Sequence, residues 1–280
     1  MSSLQPIAIE FANTRQLSDV AFEAKGAYKE TFRARDATGR LIALKLLDPT
    51  KCNLARSERE ITALKKCDSP LIAKVYDYGE FLAGSGRKYY FSTEEYLDGG
   101  TLTNRISGKP LPLSDVRIYA TFLVQALDCL KKANLVHRDI KPDNIMFRKG
   151  QPEPVLVDFG LVRDLSESSL TQTWLPHGPG TPYFASPEQL NNDKHLIGWR
   201  TDQFSFGVVM GLCLTSSHPF GNPGATIPEV VDAVANRRSI SSEFQKEART
   251  RGFTWLLKTL RAWPIERYSI PNQILESMKV

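Results

Sequence analysis

The apolar pattern of this chain changes period once, near Glu94, and that change limits the folds open to it. Before it, polar and apolar residues alternate as in strands: Thr31-Phe32-Arg33-Ala34-Arg35, a turn at Ala37-Thr38-Gly39, then Leu41-Ile42-Ala43-Leu44-Lys45-Leu46-Leu47. This is a hairpin, with another strand ahead of it from about residue 22. Further strands are expected at 72–78, 80–82 and 89–93, and one helix at 56–66. The segment Glu94-Glu95-Tyr96-Leu97-Asp98-Gly99-Gly100-Thr101-Leu102 reads as a linker, its glycines ending the last strand. Helical spacing then takes over at 113–133, with Ser114 and Asp115 as cap candidates, and at 201–214, 227–236, 252–262 and 271–278. The expected class is α+β, a small antiparallel sheet lobe with one main helix followed by a larger, mainly helical lobe. With 280 residues, 41% of them hydrophobic, the chain can fill two ordinary cores.

A formal charge of +5 would suit an acidic or phosphorylated partner, but the cations come in scattered pairs such as Lys65-Lys66, Lys131-Lys132 and Arg237-Arg238. A solvated surface is expected, and no nucleic-acid polymer as a partner. Cys52, Cys67, Cys129 and Cys213 are far apart and form no CxxC, so they read as reduced thiols rather than metal ligands. The first residues lack the pattern of a signal peptide, and the longest apolar run, 206–214, is too short for a bilayer. A cytoplasmic location without membrane contact is expected.

The chemistry concentrates in His137-Arg138-Asp139-Ile140-Lys141-Pro142-Asp143-Asn144, wedged between the apolar runs 121–130 and 145–147. A carboxylate at Asp139 can accept a hydroxyl proton, Lys141 can neutralise a phosphoryl oxygen, and the Asn144 side-chain oxygen can hold a divalent metal. The plain alternative is a polar connection between a helix and a hairpin. A second carboxylate, Asp158 in Asp158-Phe159-Gly160, follows the apolar strand 155–157 and suits a second metal ligand. In the first lobe, Lys45 stands alone among apolar neighbours, where a charge is costly unless it meets an anion or a carboxylate. Glu60 is its natural partner, because Leu64 four residues on continues a buried stripe, whereas Glu58 is followed by Thr62. A lysine snorkelling at a sheet edge is the bland alternative.

These residues, in this order, resemble a eukaryotic-like serine/threonine protein kinase from about residue 20 to the end. The resemblance implies a bilobal protein-kinase-like fold: an N-terminal extension over 1–19, then a kinase domain over 20–280 with an N-lobe at about 20–94, a hinge at about 95–100 and a C-lobe at about 101–280. It implies ATP and Mg2+, with Mn2+ possible. Lys45 would hold the α and β phosphates and pair with Glu60, Asp139 would be the catalytic base, Lys141 would contact the γ phosphate, and Asn144 and Asp158 would be the metal ligands. Backbone groups from Glu95 to Leu97 would meet adenine, Ala43 and Met146 would sandwich its ring, and Glu94 would take the gatekeeper position, where an acid is unusual. Glu188 of Ser186-Pro187-Glu188 would pair with Arg267, and Asp202 would brace the catalytic loop. Against the family's Gly-x-Gly-x-x-Gly-x-Val, this chain has Ala24-Lys25-Gly26-Ala27-Tyr28-Lys29-Glu30-Thr31: Gly26 alone survives, and Thr31 retains a methyl for the adenine face. Ala24 and Lys29 are expected to stiffen or displace the turn, with Lys29 offering a charge to phosphates.

The expected activity is transfer of the γ phosphate of Mg-ATP to serine or threonine hydroxyls of a protein substrate. Lys141 and Thr181 favour that acceptor class through the resemblance. A pseudokinase that uses the fold for binding is the alternative raised by the altered glycine loop, and a small-molecule kinase is a third. The hydroxyl-rich stretch 161–185 is long for a compact domain, and Arg138 invites a phosphate on it. Activating autophosphorylation is expected at Thr171 or Thr173, with Ser168 and Ser169 as alternatives. The oligomeric state is left open.

Overall fold

The computed structural model describes residues 2–26, 29–47, 62, 64–65, 67–159, 163–164, 181–222 and 224–279. Contacts divide the chain into two units: Met1–Lys66 with Ala73–Leu97, and Cys67–Ile72 with Asp98–Val280.

In the first unit, helix α1 (Gln5–Arg15) precedes strands β1 (Ser18–Lys25), β2 (Lys29–Arg35), β3 (Leu41–Leu47), β4 (Val75–Leu82) and β5 (Lys88–Glu95). The strands form one antiparallel sheet in the order β1-β2-β3-β5-β4. Alternation along β3 sends Leu44 and Leu46 to one face and Ala43 and Lys45 to the other. The Leu44 face joins Phe32, Phe81 and Phe91 in a core closed by Ala8 and Phe11 of α1. Phe11 meets Phe81 edge-on at 5.2 Å and Phe91 at 4.5 Å between ring centroids. A buried ring of this size contributes roughly 1.5–3 kcal/mol. The first nineteen residues thus supply a helix to the sheet's core, on the face opposite Lys45.

Two strands expected at 72–78 and 80–82 are instead one, β4. Gly79 does not interrupt it, because it stays in register opposite Phe91, whose ring lies 3.5 Å from where a Cβ would stand. The helix expected at 56–66 falls outside the described residues except for positions 62, 64 and 65.

The second unit comprises α2 (Leu102–Ile106), α3 (Leu113–Lys132), β6 (Leu135–Val136), β7 (Ile145–Phe147), β8 (Pro154–Leu156), β9 (Arg163–Asp164), α4 (Thr181–Phe184), α5 (Pro187–Leu190), α6 (Trp199–Thr215), α7 (Ile227–Ala235), α8 (Ser242–Thr250), α9 (Trp255–Thr259) and α10 (Pro271–Ser277). Helix α3 buries Val116, Tyr119, Ala120, Leu123, Val124, Leu127 and Leu130, the stripe its helical spacing predicts. It begins at Leu113 after Pro112 with no side-chain cap, so Ser114 and Asp115 lie inside its first turn. Helix α6 is buried continuously from Thr201 to Gly211 and packs on α3 and α9. Gly207 permits the second contact: a Cβ there would stand 2.3 Å from Thr259 Oγ1. No helix among the described residues is long and apolar enough to cross a membrane.

Candidate active site

The polar loop follows β6 and is pinned from two sides by the helical unit. Asp202, in the first turn of α6, accepts the His137 amide at 2.7 Å on one oxygen and the Arg138 amide at 2.8 Å on the other. Gln189 of α5 donates Nε2 to the Arg138 carbonyl at 2.8 Å. Both backbone groups of Arg138 are therefore satisfied, which offsets the cost of its left-handed φ of 71°. Burial pushes the Asp202 carboxyl up to about 6, against the pull of His137, the two amides and Arg138.

His137 fastens the loop to the second carboxylate's segment. Its Nδ1 accepts the Asp139 amide at 3.3 Å, so Nε2 carries the proton and donates to the Val157 carbonyl at 3.0 Å. Its ring lies 4.8 Å from that of Phe159. The hairpin of β7 and β8 has Ile145 opposite Leu156, and the Val157 amide donates to the Asn144 carbonyl at 3.0 Å. Asn144 and Asp158 therefore stand at the same end of one hairpin, and Asp158 has φ 67°. The linker glycines extend this arrangement: Gly99 N–H donates to Phe147 O at 2.8 Å and Phe147 N–H to Gly100 O at 3.0 Å. A Cβ at Gly99 would lie 2.7 Å from the carbonyl oxygens of Phe147 and Arg148. Met146 in the middle of β7 bridges Thr101.

Within the loop, Asp139 Oδ2 accepts Lys141 Nζ at 2.8 Å and Asn144 Nδ2 at 2.9 Å. Both donors fall on one carboxylate oxygen, Oδ2. Asn144 Nδ2 also donates to the Asp139 carbonyl at 2.8 Å, so its amide nitrogen is committed to Asp139 and its Oδ1 is the atom to offer a cation. The donors at this hairpin end are hard oxygens, which fit magnesium or manganese. No group of three His, Cys, Asp or Glu side chains among the described residues is built to hold a metal. A cation here would need further oxygens, such as those of a bound phosphate.

In the sheet unit, Thr31 pairs with Lys45, Lys45 with Ser92, and Ala43 with Glu94, so these five residues share one face. Lys45 Nζ meets Glu94 Oε2 at 2.5 Å, and Ser92 Oγ donates to Glu94 Oε1 at 2.7 Å. Lys45 and Glu94 are 11% and 12% exposed, dry enough to strengthen the pair and open enough for a ligand to compete. Glu60, the partner expected from helical spacing, lies outside the described residues, so that pairing is neither seen nor replaced. Beyond Glu94, the Glu95 amide donates to Lys74 O at 2.8 Å and Leu97 is buried. Gly26 donates its amide to Lys29 O at 2.8 Å, and a Cβ on it would make only ordinary contact at 3.6 Å. Gly160, Thr171, Thr173, Ser168 and Ser169 lie outside the described residues.

Glu188 and Arg267 form a fully buried bidentate pair at 2.7 and 3.0 Å. Sequence reasoning missed three participants. Gln189 gave no signal beyond its position next to Glu188. Glu94 was marked only as an unusual acid, although its strand position two residues from Ser92 puts both on the Lys45 face once the register is known. Glu30 was read as part of the altered glycine loop; it is 3% exposed and bonded to the N-terminal segment.

Residues 24–277 match the protein kinase domain family. The probable serine/threonine-protein kinase PknB of Bifidobacterium longum is 32% identical over 212 residues, 72% of this chain and 30% of that protein. A probable serine/threonine-protein kinase of Streptomyces coelicolor is 30% identical over 259 residues, 89% of this chain and 37% of that protein. A probable myosin light chain kinase of Dictyostelium discoideum is 31% identical over 202 residues, 70% of this chain and 62% of that protein. The chain thus spans about a third of the length of these two bacterial relatives. With a match covering nearly all of its length and the loop geometry described above, the chain belongs to the protein kinase domain family.

Proposed function

We propose that this chain transfers the γ phosphate of ATP to serine or threonine hydroxyls of a protein, with a divalent cation, magnesium in the first place. The observation that carries this reading is the orientation of Asp139: two donors hold Oδ2, and Oδ1 is left to accept a hydroxyl proton. Lys141, tied to that carboxylate, would contact the γ phosphate. Lys45 would hold the α and β phosphates, exchanging part of its contact with Glu94 for them. Thr31, Ala43, Met146 and the backbone from Glu95 to Leu97 would bind adenine, and Gly26 would lie over the phosphates. Asn144 Oδ1 and the Asp158 carboxylate would hold the cation, which when bound neutralises the triphosphate. Relatives named as serine/threonine-protein kinases support the acceptor class, and free thiols at Cys67, Cys129 and Cys213 support a reducing, cytoplasmic setting.

The test is mass-spectrometric mapping of phosphate after incubation with Mg-ATP and a serine- and threonine-containing protein acceptor, for the wild type and Asp158→Ala. New phosphoserine or phosphothreonine in the wild type alone is expected, within the hydroxyl-rich stretch 161–185 among other places. Silence in both, with no ATP binding, would favour a scaffold that has lost the nucleotide. ATP binding with phosphate appearing only on a small acceptor would favour a small-molecule kinase.

A further inference from the structure

Away from the Lys45 face, one carboxylate gathers the start of the chain. Glu30 lies near the start of β2, opposite Lys25 in register, and is 3% exposed. Its Oε1 accepts the Ser3 amide at 3.2 Å and the Ser3 hydroxyl at 2.7 Å, and pairs with Lys25 Nζ at 3.1 Å. Its Oε2 accepts the Ser2 hydroxyl and the Leu4 amide, the latter at 3.0 Å. Leu4 is the N-cap of α1, which has neither a side-chain cap nor an acid in its first turn. Glu30 supplies both from another element, placing a negative charge at the positive end of an eleven-residue helix. Burial alone would raise the Glu30 carboxyl, but bonds from Ser2, Leu4, Ser3 and Lys25 outweigh it and bring it down to about 2.

Strand alternation gives this cluster a consequence. Glu30 points to the α1 side of the sheet, and Thr31, its neighbour, shares the opposite face with Lys45. Holding Glu30 therefore also holds the strand that closes the altered glycine turn, at the place where two expected glycines are missing. The Ser3 hydroxyl is the weak point: Ser3 is exposed, yet its hydroxyl proton is committed to a buried acid.

We propose that Ser3 is a phosphorylation site and that its modification opens this clasp. A serine/threonine kinase, a second copy of this chain included, would join Ser3 Oγ to the γ phosphorus of ATP. ADP leaves with the broken Pβ–O–Pγ electrons, and the hydroxyl proton passes to the kinase's catalytic base. The product oxygen has no proton to donate to Glu30. The phosphate adds a charge of about −1.5 to −2 beside a carboxylate. Lys25, 3.4 Å from Ser3 Oγ and 3.1 Å from Glu30, cannot neutralise both. The segment at 2–4 would then leave Glu30, uncapping α1 and loosening β1 and β2. The opening stands on geometry alone; its effect on ATP rests on the function proposed above.

The experiment places phosphoserine at position 3 of the full chain by genetic encoding and follows backbone hydrogen exchange, with ATP affinity measured separately. Expected is exchange faster by about tenfold or more in α1 and the β1–β2 hairpin, with weaker ATP binding. Ser3→Ala should move exchange in the same direction by less, because the Ser2 hydroxyl and the Leu4 amide still reach Glu30. In a Glu30→Gln background, phosphoserine should add little, since there is no carboxylate to repel it. Unchanged exchange on phosphorylation, or an equal increase in the Glu30→Gln background, would overturn the clasp. Faster exchange with unaltered ATP affinity would overturn its coupling to the nucleotide. Both exchange results can be read even if the chain transfers no phosphate.

Discussion

Two ion pairs in this molecule use the same charges for opposite purposes. Glu188 and Arg267 in the helical unit are wholly buried, and Arg267 spends every donor: two on Glu188 and one each on the carbonyls of Arg261, Arg200 and Ala262. Lys45 and Glu94 in the sheet unit keep about a tenth of their surface exposed, and the ammonium has one compact charge on a flexible stem. The first pair is a joint that also ties down three backbone carbonyls, two of them on consecutive residues. The second holds a cation in place while leaving it able to change partners. Burial, more than charge, sets the two pairs apart.

That contrast can be broken in several places. Replacing Glu188 by Ala leaves a buried guanidinium uncompensated and should cost about 3–5 kcal/mol of stability, read as a large fall in denaturation midpoint. Even the paired apolar replacement Glu188→Leu with Arg267→Met should not recover it, because three carbonyls lose their donor. A stable single variant would place this pair with Lys45–Glu94 in the exchangeable class.

Glu30 is a third carboxylate, buried like Glu188 but held largely by hydroxyls and amides. Its folded value of about 2 lies below its ordinary 4.5, so its contribution is full above 4.5 and lost as pH falls through about 2. A shift of that size corresponds to about 3 kcal/mol. Acid titration of the wild type against Glu30→Gln should show the difference disappearing across that window; a constant difference would remove the charge from the account of the clasp.

Glu94→Gln keeps the Ser92 contact and removes the charge facing Lys45. The expected loss is about tenfold in kcat/KM for ATP, with Lys45 more reactive toward an amine-acylating reagent in the absence of nucleotide. Unaltered reactivity and turnover would deny Glu94 any part in positioning Lys45. The smallest effect serves as a control: Thr226 caps α7 through a box with Glu229, and Thr226→Ala should cost about 1 kcal/mol without touching turnover.

The polar loop at 137–144 was legible because its residues are local in the chain. His137 to Asn144 are contiguous, Asp158 follows an apolar strand, and their order with Glu188, Asp202 and Arg267 is hard to assemble by chance. The contact of Lys45 with Glu94 was less legible, because it is a diagonal across two strands whose register no residue spacing reveals. Helical spacing points Lys45 to Glu60, which lies outside the described residues, and says nothing about a carboxylate on the neighbouring strand. Helix α1 was missed for another reason. Its apolar residues run around more than one side, with Phe11 buried and Ile9 half exposed, so no stripe announces the sheet it covers. Gly79 falls between the two expected strands and is not a break, since it stays in register opposite Phe91.

The most direct measurement compares single-turnover phosphoryl transfer and ATP affinity in the wild type and Asp139→Asn. The account predicts a fall in the transfer rate of about 100-fold or more, as expected for loss of a positioned general base, with ATP affinity little changed. Equal rates in the two proteins would contradict it and remove Asp139 from the role on which the proposed reaction depends.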